Sequence, residues 1–335
     1  PIDLPGFQKI ALPSHETQTL NLPLNLSDLI TNELALPDTI TVTAGLRFCI
    51  LPGDKASDCP NRTLFPNLFG EHWPVTITIR PHDLGDAPDS TNHAGMAMTA
   101  YPAVQANYPT VYDPALGLPI GPLHLNPRPF HLGQNVSREA EADGGPDEDP
   151  QNNIEPATNN PDNDRFDDGL RPDLWALNNC QAQVVPVGVF ITPQAVNYFQ
   201  QLGTPAYINI WLDANRDGDW ADGFACPPDA AAVEHIVIDR AVNVVALGPG
   251  LHIVNVATGR VPWPAQWAQQ PTWVRVTLSD RPSNKPLTFG GITYGDGRGF
   301  ALPFRTGETE DYYAHPDGTT GGGPDMGVDI DGRVE

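Results

Sequence analysis

Apolar and polar residues alternate in short blocks along the chain, and proline, glycine, asparagine and aspartate separate the blocks. The first is "TLNLPLNL", residues 19–26, with Leu20, Leu22, Leu24 and Leu26 on one face and Asn21, Pro23 and Asn25 on the other. A period of two predicts a strand. Pro23 has no N–H to donate, so that strand belongs at a sheet edge, paired on one side. "TITVTAGLRFCI" (39–50) and "PVTITIR" (74–80) continue the pattern and predict a small amino-terminal β unit over residues 1–80.

After residue 81 the texture changes. Residues 82–173 carry few apolar runs, many prolines and a dense acidic insertion at 139–173. Strands are predicted again at 183–191, 206–215, 233–247, 250–258 and 272–280, with short helices at 192–203 and 264–270. This spacing of strands and turns predicts an all-β fold, an antiparallel β-sandwich with long acidic loops spanning 81–316. The remaining 317–335 begins Gly-rich and then alternates briefly, with Met326, Val328 and Ile330 two apart. Its composition reads as a flexible tail.

Composition narrows the partners. The net charge of −23 arises from 41 acidic against 18 basic residues, and such a surface repels nucleic acid and anionic membranes. Clustered carboxylates favour divalent cations, which relieve their mutual repulsion. No apolar run approaches the roughly 20 residues needed to cross a bilayer. Of the four cysteines, Cys49 and Cys59 suit a local disulfide, and Cys180 and Cys226 a second one, although four cysteines allow three pairings. An even cysteine count and few lysines predict an extracellular or cell-surface setting. The start at Pro1 fits either a chain whose secretory leader has been cut or a trimmed one.

Four acidic segments carry the candidate chemistry. "DANRDGDWADG" (213–223) places Asp213, Asn215 and Asp217 at positions one, three and five of a calcium loop, with Gly218 at the sixth and Asp219 at the seventh. Position twelve is Phe224 where an EF-hand has glutamate, and the preceding "YINIWL" reads as a strand. The missing carboxylate must come from elsewhere, with Glu308, Glu310 and the acids around Asp143 and Asp168 as possible donors; Asp222 is one further acid in the loop. Taken alone, the segment reads equally as a hairpin loop whose Asp and Asn side chains bond their own backbone. The second segment is "DLGDAPDS" (83–90), with Asp83 and Asp86, which reads alternatively as an ordinary turn. The third is the 139–173 belt, with Glu141, Asp143, Asp167 and Asp168 among twelve acids and only two bases; such runs are more often solvated insertions. The fourth is "GETEDYY" (307–313), with Glu308, Glu310 and Asp311, whose plain reading is an edge strand protected by charge.

In this order, with "NDRFDDGL" (163–170) and "TWVRVTLSD" (272–280), the four segments resemble the GEVED domain of bacterial extracellular and surface proteins over about residues 82–316. The resemblance implies a β-sandwich module with a calcium requirement and no established catalytic role. Thr309 stands where the family has valine, and Ala214 where it often has an aromatic residue.

For catalysis, no GxSxG elbow, HExxH helix or Ser/His/Asp set is present. Paired carboxylates alone would suffice for a glycosidase, but their Asx-and-glycine setting favours calcium. The expectation is a non-enzymatic, calcium-stabilised surface protein that self-associates into a filament or surface layer by strand exchange. The rival is a calcium-dependent adhesin that holds carbohydrate or another surface protein through aromatics such as Trp263, Trp267 and Trp273.

Overall fold

A computed structural model describes residues 82–88, 98–112, 120–136, 166–267 and 270–315, together with the backbone of two strands nearer the amino end. The chain divides into two compact units, Pro1–Ile79 and Arg80–Glu335. In the first, β1 (Thr39–Arg47) pairs antiparallel with β2 (Gly70–Thr78), from Thr39 opposite Thr78 to Arg47 opposite Gly70. The leucine strand at 19–26, Cys49, Cys59, residues 139–165 with Glu141 and Asp143, and residues 316–335 lie outside the described residues.

The second unit is all-β and sandwich-like. Its elements begin with three short strands, β3 (Thr99–Tyr101), β4 (Val104–Gln105) and β5 (Phe130–Leu132), followed by the long β6 (Gln181–Ile191). Helix α1 (Pro193–Leu202) precedes β7 (Ala206–Leu212), β8 (Gly223–Cys226), β9 (Ala230–Val233) and β10 (His235–Val242). Helix α2 (Val244–Leu247) then leads to β11 (Gly250–Val261), β12 (Thr272–Ser279), β13 (Leu287–Phe289), β14 (Ile292–Tyr294) and β15 (Gly307–Ala314). One sheet has the order β10-β7-β12-β15 and the other β11-β6-β5, all antiparallel. Sequence predicted a single strand over 233–247. Instead Asn243 ends it, because its side chain accepts the Ala246 N–H at 3.0 Å and caps the short α2.

Alternation explains which side chains meet. Val185, Val187, Val189 and Ile191 of β6 face Ile208, Ile210 and Leu212 of β7 and Val274, Val276 and Leu278 of β12 in one apolar core. Each such side chain, fully buried, contributes about 1.5–3 kcal/mol. Helix α1 seals one end: Thr192 caps it by accepting from Ala195, Pro193 opens it, and Ala195 and Phe199 turn inward.

The four-stranded sheet buries its other face as well. All eight residues of β12 are buried, and Trp211, Trp220 and Trp273 pack there with Met98, Tyr101 and Tyr108 from the long loops. A sandwich with one solvated side would leave this face polar; here the loop layer turns it into a second core. Trp263 and Trp273 are therefore buried and Trp267 half-buried, so the exposed aromatic set expected of an adhesin is not found at these positions. The Cys180–Cys226 disulfide ties the start of β6 to the β8–β9 hairpin.

Candidate metal centre and its acidic surroundings

The loop between β7 and β8 is built around Asp213. Its Oδ1 accepts the backbone N–H groups of Arg216 (2.6 Å) and Asp217 (3.3 Å), and its Oδ2 accepts that of Gly218 (3.0 Å). The Tyr101 and Tyr108 hydroxyls also donate to Oδ2, at 2.9 and 2.6 Å. Five donors fill the lone pairs of one carboxylate. Burial pushes Asp213 up to about 6, although both tyrosine hydroxyls favour its charged form. Asp213 thus shapes the loop from beneath. Gly218 is required at the tightest point: its φ is +96°, and a Cβ there would lie 2.3 Å from the Gln105 carbonyl oxygen.

A second buried acid, which the sequence reading passed over, clamps the loop at both ends. Glu234 accepts the Ala214 N–H at 2.8 Å and the Asp222 N–H at 3.0 Å. It is fully buried, and burial first, then the charge of Asp213, pushes its pKa well above the usual range. Its signal in the sequence was one acid inside the apolar run "AAAVEHIVI".

Held in this way, the loop turns Asp217, Asp219 and Asp222 towards one another, with a carboxylate oxygen from each within 4.8 Å of the other two. Asn215 bridges two of them, donating to Asp217 at 2.8 Å and to Asp222 at 2.5 Å. Asp217 is exposed and the other two are half-buried. Burial, then the charge of Asp219, pushes Asp217 up to about 7, and burial raises Asp219 as well. Among the described residues no lysine or arginine forms an ion pair with these three. Three hard oxygen donors of this kind suit Ca²⁺, whose charge would offset most of theirs.

The remaining acids assemble elsewhere. On β15, Glu308 and Glu310 face the sandwich interior while Asp311 faces the loop layer, and all three are buried. Glu308 accepts the Leu132 N–H at 2.6 Å. Glu310 accepts those of Asp168 (3.2 Å) and Gly169 (3.1 Å), and its other oxygen accepts the Tyr312 hydroxyl at 2.7 Å. Burial pushes both glutamates well up; Glu310 further raises Glu308, and Asp168 further raises Glu310. Asp168 in turn accepts the N–H groups of Gln134 and Asn135 and the Asn135 amide. Asp83 accepts the Thr309 N–H at 2.7 Å. Asp311 accepts the Ala87 N–H at 2.8 Å and two guanidinium N–H groups of Arg275. Asp86 is half-buried and Asp167 buried in these same loops.

Glu308, Glu310 and the acids around Asp143 and Asp168 are the expected donors to complete the loop at 213. Among the described residues they do not join the three-aspartate group. Glu308, Glu310 and Asp311 instead strap loops 83–87, 132–135 and 168–169 to the terminal strand, through the backbone N–H groups of Leu132, Gly169 and Ala87. Comparison with known proteins adds no relative to this picture: no family model, no curated protein and no solved structure matches the chain.

Proposed function

We propose that the chain is a non-catalytic extracellular structural module whose 213–222 loop holds a calcium ion, in keeping with its resemblance to the GEVED domain. The convergence of Asp217, Asp219 and Asp222 on one point carries this reading. Those three carboxylates, with Asn215 beside them, would form the ligand set. A bound cation would remove the repulsion that raises Asp217, and so lock a loop already shaped by Asp213 and Glu234. The other buried carboxylates accept backbone hydrogen bonds, an arrangement that suits scaffolding better than acid–base work. The Cys180–Cys226 bond supports an oxidising compartment.

Calorimetric titration of the chelator-treated chain with CaCl₂ tests the site. Saturable binding that Asp217→Asn with Asp219→Asn abolishes, while the fold is retained, supports it. A flat titration of the intact protein rules it out.

A further inference from the structure

On one side the two sheets meet along their edge strands, where a Cβ on Gly259 of β11 would lie 3.5 Å from the Ile236 carbonyl oxygen of β10. The last strand of one sheet, β10, and the last of the other, β11, have no ladder partner on their outer edge among the described residues. Along that seam runs a groove of about 440 Å³. The half-buried Ile238 and Ile292 and the exposed Ala241 and Ala257 supply a small apolar lining. Both strands are irregular here, with register shifts between His235 and Arg240 and between Ala257 and Arg260. Such bulges prevent a long backbone ladder, so an occupant is held mainly by side chains inserted at every second position.

The rim is basic, against the trend of the chain. Arg240 and Arg260 are both exposed and both border the groove. Arg240 makes no hydrogen bond or ion pair among the described residues, and Arg260 donates to the Cys180 carbonyl at 2.9 Å. The one acid in the lining is engaged, since Asp239 pairs with Lys285 and accepts the Ser283 N–H at 2.7 Å. The groove therefore asks for an extended segment that is apolar on one face and acidic on the other.

One stretch of this chain has that pattern. In "DMGVDIDGRVE", residues 325–335, the even positions read Met326, Val328, Ile330, Gly332 and Val334, and the odd ones include Asp325, Asp329, Asp331 and Glu335. The leucine segment at 19–26 has a matching apolar face but opposes it with asparagine and proline, and so offers nothing to two arginines.

We propose that this groove receives the 325–331 segment of a second copy of the chain. Met326, Val328 and Ile330 enter the apolar lining, and the aspartates face Arg240 and Arg260. A neighbouring copy is the simpler donor because β15, from which the segment departs, is the far edge of the same sheet from β10. Both faces of that sheet are already covered, so a segment returning to its own groove must travel round the molecule. Because donor and acceptor surfaces differ, the contact repeats head to tail and builds a filament. The proposal rests on the reading of the chain as a structural subunit, and does not require the metal.

The test is a complementation experiment with full-length chains, read by analytical ultracentrifugation in calcium and again in chelator. One chain carries Arg240→Glu with Arg260→Glu; another carries Val328→Asp with Ile330→Asp; thermal melts confirm that both are folded. The wild-type chain should sediment well above its 36.2 kDa monomer. Each variant alone should be monomeric, and an equimolar mixture should form a complex of two, since one member keeps a working groove and the other a working segment. Adding Asp329→Arg and Asp331→Arg to the arginine variant should restore assembly by reversing both charges. A monomeric wild-type chain, or assembly that neither pair of changes disturbs, overturns the proposal. So does a monomer whose groove is protected from hydrogen exchange by its own segment. Size that persists in chelator separates this proposal from the calcium reading.

Discussion

Arg275 and Asp311 lie side by side on neighbouring strands with neither side chain exposed, Nε 2.7 Å from Oδ1 and one terminal guanidinium nitrogen 2.6 Å from Oδ2. The guanidinium also donates to the Pro109 and Gly297 carbonyls and to Thr110, so one cation joins the sheet to two separate loops. Replacing Asp311 with asparagine leaves that charge buried without its counterion, and breaking such a pair costs about 3–5 kcal/mol. Urea unfolding should show this loss. Exchanging both residues, as Arg275→Met with Asp311→Leu, should cost less than the single change.

Calcium should stabilise the intact chain. At a free concentration a hundred times the dissociation constant the gain is about 2.7 kcal/mol, or about 4–5 °C in melting temperature for a chain of this size. Differential scanning calorimetry with and without chelator measures it. Asp219→Asn should shrink the shift, whereas Asp168→Asn, on the other acidic group, should leave it in place while lowering the melting temperature in both conditions.

His235 supplies a dependence on pH. Its ring stacks on Trp211 at 4.2 Å between centroids; Nδ1 accepts the Gly295 N–H, which leaves Nε2 to donate to Asn209. Burial pushes its pKa down to about 3. The unfolded chain binds this proton near 6.5 and the folded chain only near 3, so stability due to a neutral His235 is complete above 6.5 and lost as pH falls through that window. Asp213, raised to about 6, has the opposite sign: its contribution falls as pH rises from about 4 to 6. The comparison must therefore be a difference. The stability of wild type minus His235→Gln should grow from pH 4 to pH 7; a flat difference would show that the ring titrates normally.

The Cys180–Cys226 disulfide closes a loop of 46 residues in sequence separation, and its removal should cost about 2–4 kcal/mol. Denaturant unfolding of wild type against Cys180→Ser with Cys226→Ser, both without reductant, gives the figure.

The strands of the second unit were legible because their alternation is clean. Predicted 206–215, 250–258 and 272–280 meet observed Ala206–Leu212, Gly250–Val261 and Thr272–Ser279. The role of individual acids was less legible. In "GETEDYY" alternation sorts Glu308 and Glu310 to one face and Asp311 to the other, but not what covers each face. Both are covered, by loops more than a hundred residues away in sequence, and the acids bond those loops. Arg275 and Glu234 were each a lone charge inside an apolar run. A lone charge of that kind signals a buried partner, and the partner's identity depends on the tertiary fold. The calcium-loop spacing at 213 was visible, yet spacing could not tell the aspartate that shapes the turn from the three that converge above it.

The straps on β15 also set a timetable. Loops near residues 85, 132 and 168 are made early, yet the carboxylates that hold them arrive only with residues 308–311. Until that strand docks, the N–H groups of Ala87, Leu132 and Gly169 bond water in place of their folded acceptors and the long-range closures still have to be made, which makes folding slow. A nascent chain would stay open and pliable through most of its synthesis and set in one late, cooperative step, so loss of the last described strand should leave no stable remnant of the sandwich behind.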